Sequence, residues 1–182
     1  MGDPLRNLRA ARDEVREVGA ILQSDWQVQR LVGSQAQYAA VLQGLANAEL
    51  FHYAGHGHFS GRGGWGSVLT LAPPAEITIG DILGLGHAPR WVVLSGCDTG
   101  RTATDTPAET LGLAQAFLSN GSQMVVAATR PVADETALAL IDKFYEAWKT
   151  SGDAGEGLRQ AQLALHRERT EDDWSSFRLF EP

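Results

Sequence analysis

The 182-residue sequence contains a single cysteine, so it can form neither an intrachain disulfide nor a site with several thiolate ligands. Basic residues are also scarce, because 15 Lys and Arg stand against 22 Asp and Glu. Without an excess of cations to neutralise phosphates, we expect no nucleic acid and no membrane among its partners. No apolar run approaches the roughly 18 residues of a membrane span, and charges occupy the start of the chain, where a signal peptide is apolar. We therefore expect a cytoplasmic protein in a reducing compartment.

Short apolar stretches alternate with amphipathic helical patterns along the whole sequence. The predicted strands cover residues 26–32, 49–54, 67–71, 76–79, 91–95, 123–128 and 177–180, with the third and fourth forming a hairpin. The predicted helices cover residues 5–23, 34–45, 81–84, 109–119, 134–149 and about 158–165. Strands that alternate with helices form βαβ units. The sequence therefore predicts one α/β domain over residues 1–182, with a parallel-rich central sheet and helices on both faces.

Two of the predicted strands end in glycine-bounded turns that carry reactive side chains. VVLSGCDTG places Cys97 after one strand, and HYAGHG places His56 after another. Functional groups of open α/β sheets gather at the carboxyl ends of strands, so we expect Cys97 and His56 to meet. A histidine beside a thiol can accept its proton and later protonate a leaving amine. Glycines such as Gly57 allow turns that aim backbone N–H groups at an oxyanion.

Other interpretations of the same residues are open at this point. A lone cysteine after an apolar strand is more often a small buried hydrophobic residue than a nucleophile. His52, His56 and His58 are evenly spaced and would share one face of an extended strand, as metal ligands could. The glycines between them break the strand, however, so we expect no metal and no cofactor. His52 is expected to be a structural residue within the sheet.

Four segments resemble one known family in their order and spacing. They are ELFHYAGHG, WVVLSGCDTG, ETLGLAQAFLSNGSQMVVAATRPVADETA and GEGLRQAQLAL. The chain resembles the CHAT domain family of caspase-like cysteine peptidases, in the clan of separase and gingipain. The resemblance implies a caspase-like three-layer sandwich, a catalytic dyad of His56 and Cys97, and oxyanion donors at the N–H groups of Gly57 and Cys97. The implied reaction is endopeptidase cleavage of a specific protein through a thioester acyl-enzyme.

The chain departs from the usual family pattern at two of these motifs. SGCDTG replaces the frequent SACETG, and ATRPV replaces SLWPV, which puts Arg130 where tryptophan is common. The clan often recognises the residue before the cleaved bond through a charge at the carboxyl edge of the sheet. Arg130 would favour an acidic residue there, whereas Asp134 or Asp98 would favour a basic one. Asp98 is equally well explained as a cap of the local turn.

The resemblance also bears on the rest of the protein. Family members tend to begin with an apolar strand before a GDP-like turn, whereas here Gly2, Asp3 and Pro4 follow Met1 directly. We therefore expect a domain from a longer chain, or one that lacks an edge strand. Family members are frequently attached to helical repeats, so we expect a regulatory sensor beside a protein or peptide substrate. The alternatives are a peptidase-like binding or scaffold module with an unused dyad, and an acyl hydrolase of small amides.

Overall fold

A computed structural model of the chain describes residues 1–60, 64–96, 112–168 and 173–182. The strands within these ranges are β1 (Leu50–Ala54), β2 (Gly57–His58), β3 (Val68–Thr70), β4 (Glu76–Thr78), β5 (Trp91–Ser95), β6 (Met124–Ala128) and β7 (Phe177–Phe180). The α-helices are α1 (Arg9–Leu22), α2 (Tyr38–Asn47), α3 (Ile79–Leu83), α4 (Leu113–Ser119), α5 (Asp134–Ser151) and α6 (Ala154–Glu168). Strands and helices alternate, as the sequence predicts.

The main sheet has four strands in the order β1, β5, β6, β7. The first three are parallel, and β7 runs antiparallel to β6. β5 and β6 consist almost wholly of buried apolar residues, the pattern typical of strands covered on both faces. In the register between β1 and β5, Ala54 faces Ser95, so the two strands end side by side. The predicted parallel-rich sheet is confirmed.

Successive residues of the central strands enter two different hydrophobic cores. Val92 and Leu94 pack with α2, α3, α4 and the hairpin, whereas Val93 packs with α1, α5 and α6 on the opposite face. Burying each such side chain contributes about 1.5–3 kcal/mol to the stability of the fold. Because the side chains alternate between the two faces, the same strands hold both helical layers. The molecule is therefore a three-layer α/β sandwich. No helix in the described ranges is both long and apolar enough to cross a membrane.

A small antiparallel sheet of β2, β3 and β4 stands beside the carboxyl end of β1. β3 and β4 form the predicted hairpin, with Leu69 facing Ile77. β2 begins at Gly57, directly after the turn that ends β1, and pairs with β3. His56 therefore lies at the junction of the two sheets, held by hydrogen-bonded backbone on both sides.

The prediction of a strand over residues 26–32 is wrong. Only Val32 makes a bridge, to Gly2, and residues 27–31 are irregular. Gly2 also bridges Ala54, so the first residues of the chain lie parallel to β1 and extend the sheet by a short stretch. A strand needs a neighbour along its whole length to pair its backbone groups. The neighbour available to residues 26–32 is the start of the chain, which runs beside them for only about three residues.

Two helices begin later than the sequence predicts. α1 begins at Arg9 because Asp3, which is buried, fixes the preceding turn by accepting hydrogen bonds from the Leu8 N–H and the Arg12 guanidinium. Ser34, at the predicted start of the second helix, lies in a 3₁₀ turn, and Gln37 is the residue before α2. The predicted start of the helix before β6, at residues 109–111, lies outside the described residues.

Candidate active site

The backbone of His56 is fixed by the strands around it. The Tyr53 hydroxyl donates to the His56 carbonyl oxygen at 2.6 Å, and the Thr70 N–H donates to the same oxygen at 3.1 Å. Gly55 makes the turn possible, since a Cβ there would lie 2.8 Å from the Tyr53 hydroxyl and 3.1 Å from Cδ of Pro4. Because Tyr53 is fully buried, the turn rests on a rigid support.

The His56 ring is half-buried and contacts a residue that the sequence gives no reason to select. Its Nε2 lies 3.1 Å from Oδ1 of Asn7, in the segment before α1. An amide oxygen only accepts hydrogen bonds, so the tautomer that fits this contact has the proton on Nε2 and the lone pair on Nδ1. A histidine in that tautomer can act as a base through Nδ1.

Cys97 and Asp98 lie outside the described residues, but the strand that leads to them does not. Ser95 ends β5 and faces Ala54, the last residue of β1. Cys97 follows Ser95 by two residues, and His56 follows Ala54 by two residues. Paired strands lie about 4.8 Å apart, so both turns leave the sheet from the same place.

The Gly57 N–H is directed away from the small sheet. Gly57 faces Leu69 in the antiparallel register, and the Thr70 N–H donates to the His56 carbonyl oxygen beside this pair. Gly57 and Leu69 therefore form a non-hydrogen-bonded pair, in which the backbone N–H groups point away from the partner strand. The β2–β3 ladder therefore does not use the Gly57 N–H. A donor in this position, one residue after His56, is what the expected oxyanion site requires.

The two described candidates for substrate recognition lie near the same edge of the sheet. Arg130 follows the end of β6 by two residues, but its guanidinium is paired with the Asp173 carboxylate and the Ser175 hydroxyl. This pairing neutralises much of its charge. Asp134 is the first residue of α5 and is exposed, and no ion pair joins it to another residue of the described ranges.

A buried polar cluster lies beneath this edge, between the sheet and its α1 and α5 layer. It consists of Glu14 from α1, His52 from β1, Ser95 from β5 and Tyr145 from α5. His52 lies buried within the sheet, as expected, with Nδ1 3.2 Å from the Tyr145 hydroxyl. Burial lowers the pKa of His52 well below its ordinary value and raises the pKa of Glu14 to about 8. Both groups are therefore uncharged near neutral pH.

Nothing in the sequence singles out Glu14, because its spacing on α1 resembles that of an ordinary charged residue. The metal interpretation finds no geometric support in these ranges. His52 points into the α5 layer, and His58 is exposed. The described part of the chain contains no group of three or more potential ligands placed to hold a metal ion.

A mostly parallel sheet between two helical layers is the architecture of caspase-like proteins. The family profile of the CHAT domain matches residues 3–181. The chain therefore belongs to the CHAT domain family, as its motifs predict.

Two solved structures show the same fold. One is the Arg-specific cysteine proteinase gingipain R, with a TM-score of 0.72 and 11% identity, covering 94% of this chain and 41% of that one. The other is Saccharomyces cerevisiae separase in its complex with securin, with a TM-score of 0.69 and 16% identity, covering 98% of this chain and 11% of that one. The chain thus spans less than half the length of either neighbour. No curated protein matches it in sequence.

Proposed function

We propose that the chain is a cysteine endopeptidase in which Cys97 is the nucleophile and His56 is the acid and base. The observation that carries this proposal is the register of β1 and β5, whose last residues face each other and precede His56 and Cys97 by two residues each. Membership of the CHAT family and the fold shared with two cysteine peptidases support the same chemistry. Asn7 then acts as a positioning residue that orients the His56 ring.

The proposed reaction begins when Nδ1 of His56 takes the proton of the Cys97 thiol. The thiolate attacks the carbonyl carbon of the cleaved peptide bond, and the resulting oxyanion accepts hydrogen bonds from the N–H groups of Gly57 and Cys97. Collapse of this intermediate forms a thioester and expels the amine, which receives the proton from His56. A water molecule, deprotonated by His56, then hydrolyses the thioester and restores the thiol.

The charges at the carboxyl edge favour one of the two open specificities. Asp173 already neutralises Arg130, whereas Asp134 is exposed at the start of α5. We therefore expect a basic residue before the cleaved bond, selected by Asp134, with Asp98 as a second candidate. The opposite preference, for an acidic residue, would require Arg130 to leave Asp173.

A regulatory protein partner is part of the proposal. The separase neighbour was solved in a complex with securin, so a protein that contains this fold can bind another protein. Together with the family's frequent attachment to helical repeats, this supports a sensor or inhibitor that controls access to Cys97.

A peptide library with every residue type before the cut, analysed by mass spectrometry, tests the proposal. We expect cleavage by the wild type, and loss of cleavage in Cys97→Ala and His56→Ala. Asp134→Asn should weaken a preference for basic residues, and Arg130→Gln should leave it unchanged. If no peptide is cleaved, while Cys97→Ala retains every binding activity of the protein, the alternative of a peptidase-like binding module replaces the enzyme.

A further inference from the structure

The Glu14 side chain connects the two strands that lead to the proposed dyad. It projects from α1 onto the sheet and is almost wholly buried, with 2% of the residue exposed. Its Oε2 accepts a hydrogen bond from the Ser95 hydroxyl at 3.0 Å, at the carboxyl end of β5. Its Oε1 lies 3.0 Å from Nε2 of His52 on β1. One carboxyl group therefore touches both strands, two residues before Cys97 and four residues before His56.

This contact is not one that packing alone would select. Oε1 of Glu14 and Nε2 of His52 lie within hydrogen-bond distance but are not aligned for a bond, and neither has another partner among the described residues. Leaving buried polar atoms unsatisfied costs stability, and an apolar side chain would avoid this cost. The neighbouring Val15 and Val18 of α1 show that apolar residues fit between this helix and the sheet.

The surroundings of Glu14 keep it uncharged at neutral pH. Burial is the main cause of its raised pKa, and the carboxylates of Asp134 on α5 and Glu17 on α1 add to it. The Ser95 hydroxyl, which donates to Oε2 of Glu14 at 3.0 Å, opposes the shift. A protonated carboxyl group carries no charge, so it can accept the Ser95 hydrogen bond and lie against the neutral ring of His52 without a counter-charge.

We propose that Glu14 is a positioning residue that holds the carboxyl end of β5, at Ser95, against the middle of β1, at His52, and thereby sets the distance between His56 and Cys97. The inference rests on the proposed function, because it concerns the alignment of the same two side chains. Ser95 transmits the effect on the Cys97 side, and His52 transmits it on the His56 side. Small displacements of strand ends are costly to catalysis because reacting groups must be held to within a fraction of an ångström.

Three variants and a matched control test this role in the folded protein. Glu14→Leu removes the polar contact to both strands, Ser95→Ala removes one of them, and Glu14→Gln retains an acceptor and a donor. Ser122→Ala is the control, because Ser122 is also a buried serine with one side-chain hydrogen bond, to the Pro89 carbonyl at 2.7 Å before β6 begins. The readouts are kcat and KM on a cleaved peptide, and the NMR resonances of the His56 ring.

We expect Glu14→Leu and Ser95→Ala to lower kcat about tenfold with KM nearly unchanged, because alignment and not substrate binding is lost. Glu14→Gln should have a kcat within about threefold of the wild-type value, and Ser122→Ala should have the wild-type kcat. Equal kcat values in Ser95→Ala, Glu14→Leu and the control would overturn the proposal.

The NMR readout separates this inference from the proposed function. If the wild type cleaves no peptide, the peptidase assignment fails, but the position of His56 can still be measured. Shifted His56 resonances in Glu14→Leu and Ser95→Ala, with unshifted resonances in Ser122→Ala, would support the positioning role. Unshifted resonances in both Glu14→Leu and Ser95→Ala would refute it.

Discussion

Glu14 should make the folding stability of the protein depend on pH. In the folded protein burial raises its pKa to about 8, from an ordinary value of 4.5. In the unfolded chain the carboxyl group is exposed and ionises near its ordinary pKa. The two states therefore bind different numbers of protons between about pH 4.5 and pH 8. The substitution Glu14→Gln removes this titration while retaining a side chain of similar size.

The sign and size of the effect follow from these two pKa values. Below pH 4.5 both states are protonated, and the contribution of the neutral carboxyl group is fully present. As pH rises, the unfolded state ionises first, so stability falls by about 1.4 kcal/mol for each pH unit until about pH 8. The whole loss amounts to about 5 kcal/mol. That is a large part of the 5–15 kcal/mol typical of a folded domain.

Urea unfolding of the wild type and Glu14→Gln between pH 4 and pH 9 measures this loss directly. The free energy of unfolding of the wild type should fall relative to the variant as pH rises, and the difference should level off above about pH 8. Titrating groups that do not interact with Glu14 are common to both proteins and cancel. A difference between the two proteins that stays constant with pH would show that Glu14 ionises normally in the fold, and would refute the reasoning.

Two further predictions concern packing and the proposed chemistry. Gly157→Ala should lower the free energy of unfolding by about 1–2 kcal/mol, because its Cβ would lie 2.9 Å from backbone atoms of Trp148 on the facing helix. Gly44→Ala is the control, with no atom within 4 Å of the new Cβ, and chemical denaturation should show it up to about 1 kcal/mol more stable than the wild type. Asn7→Ala should lower kcat about tenfold with little change in KM, because the His56 ring loses the acceptor at 3.1 Å that orients it. Steady-state kinetics on a cleaved peptide measures this, and an unchanged kcat would remove Asn7 from the site.

The elements that the sequence predicts best are those whose patterns are local. β5 and β7 match their predicted bounds because each is a short apolar run between turn residues. The hairpin was equally visible, since two short strands flank a Pro-Pro pair. The prediction of a strand over residues 26–32 is wrong because its apolar residues have the local pattern of a strand, whereas strand pairing depends on a neighbour that the sequence does not reveal.

The site was predictable only in part, for the same reason. His56 is a candidate because a glycine-rich turn follows a strand, and the resemblance to the CHAT motifs implies a catalytic role for it. Asn7 and Glu14 contact His56 and Ser95 from segments 49 and 81 residues away in sequence, and neither belongs to a recognisable motif. Such long-range partners become visible only when the topology brings α1 and its preceding turn against the ends of β1 and β5.

The most direct test of the Cys97 and His56 dyad is the rate at which Cys97 is alkylated. Cys97 is the only cysteine, so intact-mass measurement after exposure to iodoacetamide reports this one thiol. At pH 6.5 the wild type should react at least about tenfold faster than His56→Ala, because a neighbouring imidazole accepts the thiol proton and so favours the thiolate, which is the form that iodoacetamide alkylates. Equal rates in the two proteins would contradict the pairing of His56 with Cys97, and the peptidase mechanism with it.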